Sequence, residues 1–291
     1  MAINGVILVN KERNISSNKL VNKVKYLVKA EKAGHLGTLD VLGEGLLPIT
    51  LGKGTKLFDY YLHKDKVYKT VFKFGETTDT LDLEGEVTDK NDVKVSREDV
   101  ENAVLRFVGK QAQMPPKYSA KKINGQKAYD LARAGQEVDL KPKEIEIYSI
   151  IVLDQLAENT FEFEVHCSSG TYIRSLCRDI AESLSTYGVM LSIQRTKCGD
   201  FNLENAFTLQ QIESGEFDII KLDTLFSYPT LYLDEEQTSK ILNGVLIPNN
   251  AIGALCKGET DNKLFKVFSE KDFLGVGEVA GGKLKLALRL I

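Results

Sequence analysis

The chain has little of what builds metal centres or disulfide frameworks: four cysteines and three histidines in 291 residues. Cys167, Cys177, Cys198 and Cys256 are widely spaced with no C-x-x-C pair, which indicates neither a disulfide scaffold nor a zinc site. His35, His63 and His166 are too scattered for a metal cluster. No apolar run approaches the roughly 18 residues of a membrane span. Val6-Ile7-Leu8-Val9 lacks a basic leader and a cleavage site, so it reads as a buried strand and the chain is expected to stay in the cytoplasm, off the membrane. Nucleotide loops are missing too. Gly52-Lys53 is followed by Gly54 where a Walker loop needs Ser or Thr, and Pro48 takes the third glycine position of a dinucleotide fingerprint after Gly43 and Gly45.

What remains is ordinary globular composition, 43% hydrophobic and 27% charged, at a length suited to one large or two modest domains. A basic excess is also absent, since the net charge is −3. The distribution is uneven, however. Residues 1–70 hold twelve Lys/Arg against six Asp/Glu, whereas 200–240 hold two against nine. A solvated helix face explains most lysine-rich stretches; a surface for a polyanion explains them equally well here, and its binding would weaken with salt.

Periodicity places the elements. Ser16 or Ser17 can cap a helix with the apolar stripe Leu20, Val21, Val24, Leu27 and Val28. Tyr68, Thr70, Phe72 and Phe74 alternate with Lys69, Val71 and Lys73, which predicts a strand beginning at Tyr68. Helices are expected from Arg97 to Phe107 and from Gln126 to Ala134, with strands near 144–153 and 160–167. Gly281-Gly282 separates the Phe273-to-Val279 run from Leu284, Leu286, Leu288 and Leu290, a period of two that predicts a hairpin in a small β unit. The acidic 200–236 region with Pro229 is the best boundary, which gives domains 1–229 and 230–291.

Two stretches carry chemistry. In residues 33–56, glycines and Pro48 crowd around one carboxylate, Asp40, with His35, Lys53 and Lys56 alongside. Taken alone, an Asp beside glycines is a turn former or cap. Ser168-Ser169-Gly170-Thr171 then makes a turn before Ile173, Leu176, Cys177, Ile180 and Leu184 recur at helical spacing, so Tyr172 and Arg174 sit at a strand-to-helix junction. An arginine in a first helical turn faces the positive end of the dipole, so a carboxylate partner is expected.

The order Gly34-His35-Leu36-Gly37-Thr38-Leu39-Asp40, Gly45-Leu46-Leu47-Pro48 and Leu51-Gly52-Lys53-Gly54-Thr55-Lys56 closely resembles the catalytic motif of the bacterial TruB-type tRNA pseudouridine synthases. Lys66-Val67-Tyr68, Phe74-Gly75-Glu76-Thr77-Thr78-Asp79-Thr80, Pro115-Pro116-Lys117-Tyr118-Ser119-Ala120 and Ser169-Gly170-Thr171-Tyr172-Ile173-Arg174 follow in the family's order. The resemblance implies an α+β fold: a pseudouridine synthase catalytic domain with a central mixed, largely antiparallel sheet flanked by helices, then a small β-rich PUA-like domain. It implies isomerisation of the uridine at position 55 in the T loop of tRNA, without cofactor or metal; no guide RNA is expected, since the basic extensions of the guide-dependent branch are not evident, and a monomer is expected.

By the same resemblance, Asp40 is the nucleophile, either adding to C1′ or removing a sugar proton, and Arg174 pairs with it. Tyr68 stacks on the extruded uracil, and either it or a water it orders takes the C5 proton. Tyr172 and Ile193 line the base pocket, Ile193 standing where the family usually has leucine. His35 fills the stack that the target nucleotide leaves. A non-catalytic tRNA-binding or tRNA-folding protein on the same scaffold, or a retargeted paralogue, would share these motifs.

The chain also departs from the family pattern. Asp40-Val41-Leu42-Gly43-Glu44-Gly45 stands where the family continues Asp-Pro-Leu-Ala-Thr/Ser-Gly, which predicts a less rigid loop. Glu44, if it pointed inward, would oppose Arg174. Leu36 replaces a usual threonine and Gln194 a usual arginine, which predicts lost RNA contacts.

Overall fold

The computed structural model describes residues 3–118, 122–123, 126–127, 140–248 and 263–291. The run Val6-Ile7-Leu8-Val9 lies in strand β1 (Gly5–Lys11). It is covered on both faces: Ile7 and Val9 pack under helix α1 (Ser17–Leu27), and Val6 and Leu8 face a second cluster with Leu46 and Tyr61. Burial on both sides is why this strand reads as a continuous apolar run rather than an alternating one. β1 pairs antiparallel with β3 (Glu44–Leu51), and β2 (Ala33–His35) lies on β3's other register.

The central sheet has nine strands, in the order β1-β3-β12-β4-β11-β10-β7, with β13 (Phe201–Asn202) added to β12 and β2 to β3. β4 is Lys66–Phe74, β7 Gly109–Gln113, β10 Lys143–Ala157, β11 Thr160–Cys167 and β12 Gly188–Cys198. Among the described residues, every strand pairing in it is antiparallel except β3 with β12. That parallel seam consists of only two residue pairs, Gln194 with Glu44 and Arg195 with Gly45. Gly45 is required there: its φ is +94°, and a Cβ would stand 2.5 Å from the Arg195 carbonyl oxygen. Thr70, Phe72 and Phe74 are buried as the alternation predicts, but β4 begins two residues before Tyr68. Helix α2 (Phe58–Leu62) leads into β4, and β5 (Glu76–Thr78) pairs with β6 (Val87–Lys90) beyond it; helices α3 (Arg97–Val104) and α4 (Ile173–Ser183) cover this part of the sheet through a core that includes Val100, Phe163, Leu176 and Ile180.

α3 starts and, with a following 3-10 turn Leu105–Phe107, ends where the spacing places it. The expected helix from Gln126 is corrected at its start. Gln126–Lys127 (β9) pair antiparallel with Lys122–Ile123 (β8), because a two-residue ladder satisfies the backbone there; residues 128–134 of that expectation lie outside the described residues. A separate five-stranded sheet follows, β14-β16-β17-β18-β15, built from Thr230–Tyr232, Lys263–Phe268, Phe273–Ala280, Lys283–Arg289 and Ile247–Pro248 in that spatial order. Gly281 and Gly282, at φ 56° and 70°, make its β17–β18 turn, a two-residue connection that needs positive φ at both positions. Leu284 joins this sheet's own core, whereas Val276 and Leu290 pack against the cluster around Tyr61 and Phe226, joining the sheet to the main body.

Candidate active site

The loop between β2 and β3 carries Asp40. Leu36 and Leu39 are buried, and the Ser17 hydroxyl of α1 donates to the Leu39 carbonyl at 2.8 Å and accepts its N–H at 3.0 Å. A turn closed by Gly43 N–H on the Asp40 carbonyl (3.1 Å) then leaves the Asp40 carboxylate 49% exposed. The backbone is held and the acid faces outward.

Arg174 meets it from the first turn of α4, with Nη2 3.0 Å from Asp40 Oδ2. The guanidinium is 8% exposed and also reaches Asp82 Oδ2, 3.1 Å from Nη1. It donates to the carbonyls of Thr80 (2.9 Å) and Tyr118 (3.1 Å) as well. The expected carboxylate partner is present, with a second one that the motifs did not single out. Asp82 is buried, follows a left-handed Leu81 (φ 64°), and accepts from Thr80 Oγ1 at 2.6 Å and Glu84 N–H at 3.0 Å. Asp79, which did stand in the quoted motif, accepts instead from the Glu86 N–H of its own turn.

Tyr68 packs on the core cluster that holds Ile193, partly buried, and burial raises its hydroxyl well above the ordinary tyrosine value, opposed by the positive charge of Arg195. Arg195, 1% exposed, donates from Nε to the Leu46 carbonyl (2.8 Å) and from Nη2 to that of Gly37 (3.1 Å). It thus ties β3, the loop and Tyr68 together. Ile193 is buried beside Gly43: a Cβ on that glycine would lie 3.6 Å from its Cγ2. Tyr172 precedes α4 with its N–H and carbonyl both bound to the buried Gln113 side chain (2.8 and 3.1 Å). His35 sits on β2 with a buried Nδ1 that has no hydrogen-bond partner among the described residues. Burial first, and the Arg195 charge second, lower its pKa, so the ring is neutral at pH 7.

The loop that lacks the family proline is fastened another way. Lys11, fully buried, donates from Nζ to the carbonyls of Gly43, Val41 (3.2 Å) and Glu12 (3.2 Å). Asn14 N–H donates to Val41 at 2.9 Å, and Arg13 Nε lies 3.0 Å from Glu44 Oε2. Glu44 therefore points to Arg13 rather than inward at Arg174. Leu36 is 1% exposed and packs in the cluster with Leu46, so an apolar side chain there belongs to the core rather than to an RNA contact. Burial lowers the Lys11 pKa to about 8, opposed chiefly by the negative charge of Asp40.

Residues 25–173 match the TruB family pseudouridylate synthase N-terminal domain, and residues 174–248 the tRNA pseudouridylate synthase B C-terminal domain. The tRNA pseudouridine synthase B of Clostridium kluyveri is 38% identical over 94% of this chain and 95% of its own length. That of Clostridium tetani is 38% identical over 99% and 100%, and that of Francisella tularensis subsp. novicida 37% over 97% and 93%. Among solved structures, a Cbf5-Nop10-Gar1 complex includes a chain with the same fold (TM-score 0.70, 21% identity, 99% of this chain and 85% of that one). So does an H/ACA RNP bound to a substrate RNA containing 2'-deoxyuridine (TM-score 0.69, 19% identity, 99% and 85%). Near-complete coverage at such identities, on a sheet that brings the motif aspartate to the motif arginine, leaves one conclusion: the chain belongs to the TruB family of pseudouridylate synthases.

Proposed function

We propose that this protein isomerises the uridine at position 55 in the T loop of tRNA to pseudouridine, with Asp40 as nucleophile. The observation that carries the reading is the half-exposed Asp40 carboxylate held 3.0 Å from a buried guanidinium. In this reading the N1–C1′ bond breaks, the uracil turns in place and C5 bonds to C1′. Asp40 acts on the sugar by adding to C1′ or by taking a ribose proton. Tyr68 stacks on the base; its raised hydroxyl pKa keeps it protonated near neutrality, which favours a water that it orders as the acceptor of the C5 proton. Tyr172 and Ile193 flank the base, and neutral His35 fills the vacated stack.

The names of the relatives support tRNA as the substrate. That the T stem-loop suffices, without guide RNA, for a cytoplasmic monomer belongs to the same proposal. So does the division into a catalytic domain, 1–229, and a small PUA-like RNA-binding domain, 230–291, supported by the separate C-terminal sheet. Purified protein incubated with an unmodified tRNA transcript, and no guide or cofactor, should form pseudouridine at one position. Asp40→Asn should reduce product below detection while tRNA affinity stays within about threefold. Activity near wild type in that variant would remove Asp40 from its role, and tRNA binding without product by the wild type would favour the tRNA-folding reading.

A further inference from the structure

Helix α1 presents its outer face in an unusual state. Its sequence, SNKLVNKVKYL, contains no acid. Lys19, Lys23 and Tyr26 stand at i, i+4 and i+7, one stripe of the helix, opposite the buried Leu20, Val21 and Val24. Tyr26 is 83% exposed, the highest value among the exposed large apolar side chains described. Lys29 follows in a left-handed turn (φ 54°), also exposed. Among the described residues, none of Lys19, Lys23 and Lys29 has a salt-bridge partner, although acids outnumber basic residues in the chain as a whole. A concavity of about 740 Å³ opens at this end of the helix between Asn22, Lys25, Tyr26, Lys29 and Glu31, with Glu31 its one acid.

We propose that this face is a second RNA-docking surface, on which Lys19, Lys23 and Lys29 take backbone phosphates and the Tyr26 ring takes the face of an unpaired base. The proposal rests on the tRNA reading above and assigns it a contact outside the nucleotide pocket. Unpaired ammonium groups around an exposed ring suit a strand that offers both phosphates and π-faces, and the helix holds no acid at i±4 that would pair the lysines along it instead. The face is also mechanically joined to the chemistry. Ser17, in the first turn of α1, holds both polar backbone groups of Leu39, the residue before Asp40. At the helical rise, Tyr26 stands about 14 Å along the axis from Ser17, a distance that a bound strand covers in a few nucleotides.

Filter binding of full-length tRNA transcript across a salt series, with kcat measured at saturating tRNA, tests this. Lys19→Gln with Lys23→Gln should weaken affinity about tenfold and flatten the log Kd against log salt slope by about 2. Lys19→Arg with Lys23→Arg should restore both. Tyr26→Ala should weaken affinity at least fivefold, and Tyr26→Phe should not, because the ring alone stacks. The kcat should stay at the wild-type value throughout. Unchanged affinity and slope in the glutamine variant, or a loss confined to kcat, overturns the docking surface. Absence of product from the wild type would instead sink the catalytic reading, leaving the binding comparison to judge this one.

Discussion

Nη1 of Arg174 lies 3.1 Å from Oδ2 of Asp82, and both side chains are all but closed to solvent. This second carboxylate gives Arg174 a counter-charge that chemistry cannot consume. Were Asp40 to form a bond to C1′ or take up a proton, it would lose its charge, and a lone buried guanidinium would be left at high cost. Asp82 prevents that, so Asp40 can change charge state without unseating its partner.

Asp82→Asn should therefore lower stability by about 3 kcal/mol, the low end for breaking a buried pair, because Asp40 and two carbonyls still hold Arg174. The kcat should fall further than KM changes. Urea unfolding followed by single-turnover kinetics reads both, and a variant within 0.5 kcal/mol of wild type would show that Asp82 is not needed as counter-charge.

Lys11 gives the site an alkaline limit. Charged, it donates to the Gly43, Val41 and Glu12 carbonyls; its pKa is lowered from 10.5 to about 8 by burial. Between these values the unfolded chain holds the proton that the folded one releases, so this residue's contribution to stability rises with pH across the window, and below pH 8 its burial penalty is complete. Activity should run the other way, because the neutral amine has one donor fewer for the loop. A kcat profile with a descending limb near pH 8 is expected in the wild type and not in Lys11→Met. Persistence of that limb in the variant would assign it to another group.

The Arg13–Glu44 pair is part exposed, so its worth in stability is small, on the order of 0.5 kcal/mol. Its effect on the position of Asp40 should be larger. Glu44→Gln is expected to lower kcat about threefold with KM unchanged, and Arg13→Glu combined with Glu44→Arg to recover most of that loss. A swap no better than the single variants would mean that the bonds from Lys11 and Asn14 suffice.

His35 should titrate below the ordinary 6.5 in an NMR pH series of the free protein, since burial and Arg195 both disfavour its charge. Its depressed value means that stability is lost as pH falls below 6.5. His35→Phe should keep most of kcat/KM, a ring still being available to stack, whereas His35→Ala should lose about tenfold or more. Equal losses in the two would point to a hydrogen-bonding role.

Motif order and periodicity mark Asp40, Tyr68 and Arg174 as candidates in the sequence alone, because each lies in a local pattern with its own glycine or strand signature. The demand for an anion beside Arg174 was legible too, from its place in the first turn of a helix. Asp82, Lys11 and Arg195 were not. Each is a buried charge whose partners come from segments up to 158 residues away, as with Arg195 and Gly37, and no local pattern marks such a pairing. The loss of the family proline suggested a loose loop for the same reason: compensation by Lys11, Arg13 and Asn14 comes from β1 and the turn that follows it, out of view of any local window. At Gln126 a helical spacing was overridden by a short ladder with Lys122–Ile123.

The seam between β3 and β12 has a consequence for synthesis. Asp40 lies on one side of it, while Tyr68 and Ile193 lie on the other, stitched together by two residue pairs that involve Gln194 and Arg195. A nascent chain that has emerged as far as residue 187 already contains Asp40, Tyr68 and Arg174 but lacks the strand that joins the two flanks. The one ladder that joins the Asp40 flank of the sheet to the Tyr68 flank can therefore form only once residues 188–198, about two thirds of the way along the chain, have emerged.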